Sequence, residues 1–471
     1  MTLAALLWIA ADLTLVVLDE DGKPAAARVR ARDAQGRWLN VTAEGGAVIH
    51  PRFPELGVAA LSGARVHLPE GTAVVRVERG TEYIAEEFAP AAERTVRLRR
   101  WIHMARRGWW SGDLHVHRRP EEMALLMEAA DLHFAPAITR WNENSNTGPW
   151  PATPLMRAGK DRAYTVDNAE DERDWGAALF FGLKTPPALP ARKTENYYPP
   201  PTATWNEARR RGAFIDQEKI IWRAAPLIAA LVPPDSIGVA LNHFLEEGLL
   251  DNEAWGRPRD RARYPGQAGF LQYIFDLYGM YLSAGLRIPA SAGSANGVLK
   301  NPIGYNRSYV NLGGSFSAEE WMAGQKAGRN FVTNGPMLFL RVRESDGRAT
   351  VQLEALSSGE LEKAEIVVNG AVVETFTPQG QRSRIVASAK VRAPDGGWLA
   401  ARCYEKNPAT VRFAHTSPVY FGKTPARSGE ALARMREWID ALVEHLDKQP
   451  LTDSQREEWF GLARKARERF L

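Results

Sequence analysis

Residues 108–122 read GWWSGDLHVHRRPEE. Two tryptophans lead into an alternation that sets Leu114 and Val116 against Asp113, His115 and His117, and Arg-Arg-Pro ends the run. Alternation of period two predicts a β-strand. On a strand the imidazoles of His115 and His117 share one face, about 7 Å apart at the backbone. Side chains at that separation can reach one metal ion, because Zn–N bonds are about 2.0–2.1 Å long. The spacing H-x-H is common by itself, so its meaning depends on the rest of the chain.

Outward from this stretch, from about residue 108 to 330, short apolar runs ending in polar residues alternate with helical stretches. FAPAIT, AALFFGL, GAFIDQE, SIGVALNHF and RIPASAGS read as strands, whereas PEEMALLMEAADL places Met123, Leu126, Met127 and Ala130 at helical spacing. Strands alternating with helices predict an α/β unit on a parallel sheet, open or closed into a barrel. Active residues of such barrels sit at the C-terminal strand ends, and His115, His117 and His243 fall there. Two inserts break the rhythm, the acidic DNAEDERD (167–174) and the proline-rich PPALPARKTENYYPPP (186–201). Loops that long inside a compact unit are commonly lids or rims.

On either side the pattern is β. The first hundred residues alternate short strand-like runs with turns such as Asp21-Gly22, at the spacing of a small antiparallel sandwich. After FVTNGPMLFLRV a second sandwich is expected over 335–425, with Asn369-Gly370 as a hairpin turn. The final stretch, 426–471, predicts two helices. Leu432, Met435, Ile439, Leu442 and Leu446 form one apolar stripe, Pro450 breaks the chain, and Thr452 with Gln455 can cap the last helix. The expected organisation is therefore 1–100, 101–334, 335–425 and 426–471.

Composition fits a globular chain: 471 residues, 45% hydrophobic and 25% charged, with a net charge of only +4. The densest basic run, RRWIHMARR (99–107), lacks the repeated aromatic interleaving of a nucleic-acid groove and reads as a solvated linker. No nucleic-acid partner is expected. No run approaches the 18 or so apolar residues of a spanning helix, so no integral membrane segment is expected either. TLAALLWIAAD (2–12) has the length of an export-signal core without a basic leader; it reads either as part of such a signal or as the first element of the fold. Cys403 is the single cysteine, which rules out an intramolecular disulfide. Nine of the 15 tryptophans lie between Trp101 and Trp255, as in a large aromatic core or a pocket that stacks flat or sugar-like ligands. Nothing in the sequence speaks to oligomeric state.

GWWSGDLHVHR, GVALNHF, GLRIPASAGSANGVLKNPIGYNRSYV and GRNFVTNGP together resemble the CehA/McbA-type metallohydrolases of the PHP (polymerase and histidinol phosphatase) superfamily. The resemblance spans about residues 65–422. It implies a distorted β/α barrel flanked by β domains, with metal at the strand ends, and hydrolysis of an ester, carbamate or phosphoester. It implies that His115, His117 and His243 are metal ligands, and that Glu170 or Glu172 is a metal-bridging carboxylate. Asp216 stands where many such proteins carry a further metal histidine. Two departures reduce the ligand set: ITRWNEN has Arg140 and Trp141 where an Asp-His pair is common, and AGSANG has Ala295 and Asn296 where an aspartate and then a histidine are usual. One metal held by three protein ligands and water remains, the count of an open catalytic zinc site.

The expected function is thus a hydrolase using a divalent ion, Zn or Mn, on a small-molecule or saccharide-like substrate. Glu170 or Glu172 would accept a proton from water, Arg140 would stabilise oxyanion charge, and Asp113 would orient a ligand. The alternative is a non-catalytic, carbohydrate-binding protein on a degenerate scaffold of the same kind. His50, His67, His103 and His445 read as solvated, and His133 and His415 as structural.

Overall fold

The computed structural model describes residues 11–50, 52–142, 149–191 and 197–471. Most of the apolar stretch 2–12 and the middle of the proline-rich insert lie outside the described residues. The chain is a strand-rich α/β protein with several sheets and, among the described residues, seven α-helices. No described helix is long and apolar enough to cross a membrane.

Alternation builds the N-terminal part as expected. Leu13, Leu15 and Val17 of Ala11–Leu18 point inward, as do Ala27, Val29 and Ala31 of Ala27–Asp33. These two strands belong to different sheets, one of four strands and one of six, and both sheets feed a single apolar cluster with Val66, Val75, Val77 and Val96. The basic run after them is not a plain solvated linker. Arg100 bonds Glu20 (2.6 Å), Glu82 (2.7 Å) and Asp131 (2.8 Å), and Met104 is fully buried. Three carboxylates supplied by distant segments make burial of this guanidinium tolerable.

The central sheet runs in the order Ala290–Ala292, Ser236–Ala240, Phe214–Gln217, Gly176–Phe181, Ala163–Arg173, Phe134–Trp141, Trp109–Gly112, Arg307–Asn311, Asn330–Thr333. It is mixed, not parallel throughout. Gly176–Phe181 is antiparallel to both neighbours; toward Ala163–Arg173 this follows from Asp174 and Trp175, a two-residue turn that allows only a hairpin. The acidic stretch 167–174 is likewise no loop: all but its last residue lies in the strand Ala163–Arg173. One of its charges is paired inside the protein. Arg173 grips Asp171 through two bonds of 2.9 and 2.8 Å, and Asn142 donates to the same carboxylate at 3.1 Å.

The segment after Trp109–Gly112 also bonds the segment after Ala290–Ala292. Leu114 N donates to Ala292 O at 3.1 Å and His117 N to Asn296 O at 2.8 Å, while Val116 bridges both Ala137 and Asn296 in parallel. Sheet pairing also crosses the boundary expected at residue 335, since Asn330–Thr333 pairs with Arg412–Thr416 and continues into the C-terminal strands. There Asn369 and Gly370, at φ 50° and 87°, turn Leu361–Val368 back into Ala371–Phe376. The last two helices, Gly429–Asp447 and Asp453–Glu468, lay Met435, Trp438, Leu442 and Trp459 into the cluster that holds Ile228 and Tyr281. Thr452 and Gln455 form the capping box.

Candidate metal centre

The regular strand ends at Gly112, and beyond a bend at Leu114 the H-V-H segment runs on between its neighbours, with Val116 bridging Ala137 and Asn296 in parallel. Asp113 organises that bend. Its Oδ1 accepts from His115 N and Ser294 N, both at 3.0 Å, and its Oδ2 accepts from Gly304 N at 2.7 Å. Full burial raises its pKa in spite of these bonds. Behind the bend the segment Gly293–Gly297 packs backbone to backbone. A Cβ on Gly293 would stand 2.4 Å from His115 Cβ, and one on Gly297 would stand 2.2 Å from His117 O.

The bent segment converges the two imidazoles. His115 Nε2 lies 2.9 Å from His117 Nε2, and Glu170 joins them with its Oε2 3.0 Å from His117 Nε2 and its Oε1 3.8 Å from His115 Nε2. Imidazole nitrogens this close need a proton between them or a cation bound by both. Four ligands at about 2.1 Å around a tetrahedral ion stand about 3.4 Å apart, so these separations bracket the spacing of donors on one ion. His115, His117 and Glu170 thus form a group that could hold a metal ion. His115 and Glu170 are almost fully buried, at 4% and 1% exposure.

A second carboxylate fixes the tautomer of His115. Glu218 Oε1 sits 3.0 Å from His115 Nδ1, accepts from Asn242 Nδ2 at 3.0 Å and is ion-paired with Lys219 Nζ. Burial works against ionisation of Glu218, but Lys219 and then His115 outweigh it and hold the carboxyl well below its usual range. An ionised Glu218 keeps the proton on Nδ1 and leaves the Nε2 lone pair for the cluster, as metal-binding histidines require.

The structure separates the two acidic candidates of the strand. Glu170 pairs in register with Trp141 and joins the imidazoles. Glu172 instead accepts from Trp141 Nε1 at 3.0 Å, and the Trp141 ring packs over His117 with centroids 4.7 Å apart. Asp216 and His243 are not members of that three-residue donor group. Asp216 is buried, its Oδ1 taken by the hydroxyls of Ser236 (2.5 Å) and Ser291 (2.6 Å), and burial lifts its pKa to about 6. His243 stacks on Phe270 at 5.9 Å; burial, then Lys219, lowers its pKa to about 3. Arg140 lies over Trp150 at 5.7 Å and donates to Thr139 O. Ala295, at φ 50°, accepts from Val298 N and Leu299 N in a tight turn, and Asn296 Nδ2 bonds Asn301 O at 2.8 Å.

Glu218, Lys219 and Asn242 were not singled out by the sequence reading. The available signal was position: Glu-Lys directly follows the strand Phe214–Gln217, and Asn242 directly precedes His243. Two histidines expected to be solvated are not. His50 is 5% exposed and accepts from Arg52 N at 3.1 Å, and His445 bonds Tyr197 Oη at 2.8 Å. The partner of His445 is distant in sequence, whereas that of His50 is local. No family model, curated protein or solved structure matches the chain.

Proposed function

We propose that the protein is a metal-dependent hydrolase of the CehA/McbA type, acting on an ester, carbamate or phosphoester. One observation carries this reading: two imidazole nitrogens and a carboxylate, from segments more than fifty residues apart, converge with 2.9 and 3.0 Å contacts, His115 and Glu170 being almost fully buried. The backbone bonds from Leu114 to Ala292 and from His117 to Asn296 support a distorted barrel with these residues at its strand ends. The two N-terminal sheets around one apolar cluster support a flanking sandwich.

His115, His117 and Glu170 would hold the ion, and two imidazoles favour Zn over Mn. A bound divalent ion supplies Lewis acidity, lowering the pKa of water and polarising a carbonyl or phosphoryl oxygen. Glu218 keeps His115 in the ligating tautomer. Asp113 holds the bent segment that aims both imidazoles. Trp141, anchored by Glu172, packs against the ring of His117. A binding role without turnover is favoured by one feature, the replacement of a strand-end carboxylate by the Ala295-Asn296 turn, which contributes no anion to the site.

Elemental analysis of chelator-free protein, followed by assays on nitrophenyl esters, carbamates and phosphodiesters, tests both readings. Hydrolysis that disappears on metal stripping and in His117→Ala supports the enzyme. Absence of turnover on all three classes, with or without metal, supports the binding role, and failure to bind zinc or manganese removes the metal-dependent enzyme.

A further inference from the structure

We propose that the ammonium of Lys219 occupies the place of a second divalent cation, so that the centre takes one ion at His115, His117 and Glu170 and refuses another beside Glu218. This inference rests on the metal-binding reading above. A buried ammonium is costly unless it is paired. Lys219 has a side-chain exposure of 6%, is ion-paired with Glu218 Oε1, and holds its Nζ 4.3 Å from the centre of the Trp222 ring. It is a fixed single positive charge, one residue from the carboxylate that orients a metal-site histidine.

Further potential donor atoms lie in the neighbourhood of that ammonium, since Lys219 and Glu218 are the charges that act on His243. Glu218 Oε1 is already shared by Lys219, His115 Nδ1 and Asn242 Nδ2. Three further atoms are buried and make no hydrogen bond: Glu218 Oε2, Asn242 Oδ1 and His243 Nδ1. Carboxylate oxygen, amide oxygen and imidazole nitrogen are the donor types of divalent-metal sites. Asn242 joins the set physically, because it contacts Glu218 at 3.0 Å and is the chain neighbour of His243.

Charge decides how many ions fit. Glu170 and Glu218 bring two negative charges and Lys219 one positive. One divalent ion leaves a net charge of one in the buried pocket, and a second would leave three. Removing the lysine lowers that burden and frees Glu218 Oε1 for metal. The ammonium therefore neutralises Glu218 without itself being a Lewis acid, and keeps the second position closed.

The test counts zinc on the full chain, stripped of metal, reloaded with excess zinc and freed of unbound ion by gel filtration. The expected result is one equivalent for the wild type, two for Lys219→Met, and one again for Lys219→Met combined with His243→Ala. Thermal melting gives a second readout, since zinc beyond the first equivalent should raise the melting temperature of Lys219→Met and not of the wild type. Two equivalents in the wild type, or one in a folded Lys219→Met, overturns the inference and leaves the metal reading standing. No zinc in the wild type sinks the metal reading itself. If Lys219→Met does not fold, the wild-type count decides alone: one equivalent under excess zinc supports the closed second position, and two overturn it.

Discussion

His115 Nδ1 and Glu218 Oε1 lie 3.0 Å apart, which makes the carboxylate, not a solvent molecule, the partner that sets the protonation of this imidazole. The bond joins the segment after the strand Trp109–Gly112 to the end of the strand Phe214–Gln217, so the fold itself selects the tautomer. Carboxylates in this position typically change metal affinity by about 10–100-fold.

Glu218→Gln is accordingly expected to keep the fold and to weaken zinc binding by about 10–100-fold. The amide can still accept from Nδ1–H, but it no longer carries the charge that raises ligand basicity. Competition titration with a chromogenic chelator measures the change. Unaltered affinity would mean that Glu218 serves only packing and its bond with Lys219.

Glu170→Gln and Glu172→Gln should part company. Glu170 stands among the donor atoms, so its amide variant should lose most zinc affinity. Glu172 is spent on Trp141 Nε1, so its variant should bind zinc nearly as the wild type does. The same titration on both variants decides; equal losses would show that the strand presents both carboxylates to the ion.

Local signals in the sequence carried through to the structure, and long-range ones did not. Asn369-Gly370 was legible because the two φ angles of its turn, 50° and 87°, are allowed to few other residue pairs. The Thr452–Gln455 box was legible because both bonds close within three residues. DNAEDERD read as a lid or rim loop because its partners cannot be seen in a linear reading: Asn142 for Asp171, His117 for Glu170, Trp141 for Glu172. The H-V-H pair announced donor chemistry, and its two imidazoles do meet on one side, in a segment bent at Leu114 and held by Asp113. Glu218 was hidden for the same reason, since nothing near it in sequence contains the histidine it serves.

Acid should destabilise the fold through its buried neutral histidines. Burial, then Arg402, lowers the pKa of His415 to about 3, and its ring packs against Phe275 and Tyr278. The unfolded chain titrates near its ordinary value of about 6.5. Between these values the unfolded state binds the extra proton, so the stability contributed is complete above about 6.5 and lost as pH falls toward 3. The loss amounts to a few kcal/mol at most. His415→Gln should flatten the acid limb of stability against pH, measured by urea unfolding between pH 7 and about 4. An acid limb of unchanged slope would assign it to carboxylates instead.

Gly293→Ala tests whether the backbone geometry is what makes the site. The segment Gly293–Gly297 lies directly behind the H-V-H segment, and a methyl group at 293 would stand 2.4 Å from His115 Cβ, where no side chain can yield without moving the backbone. The neighbouring bonds Leu114 N to Ala292 O and His117 N to Asn296 O bind the two segments on either side of that contact. The methyl must therefore push His115 off its axis or break those bonds. Overpacking of this kind costs about 1–3 kcal/mol, so the variant should fold with reduced stability. A shift of His115 Cβ of even about 1 Å carries Nε2 out of range of an ion bonded at about 2.1 Å. Zinc affinity should thus fall much more steeply than stability. Melting and zinc titration on the same preparation separate the two effects. A variant that loses stability but binds zinc normally would show that the donors adapt to the backbone, and that the close approach at Gly293 serves the fold alone.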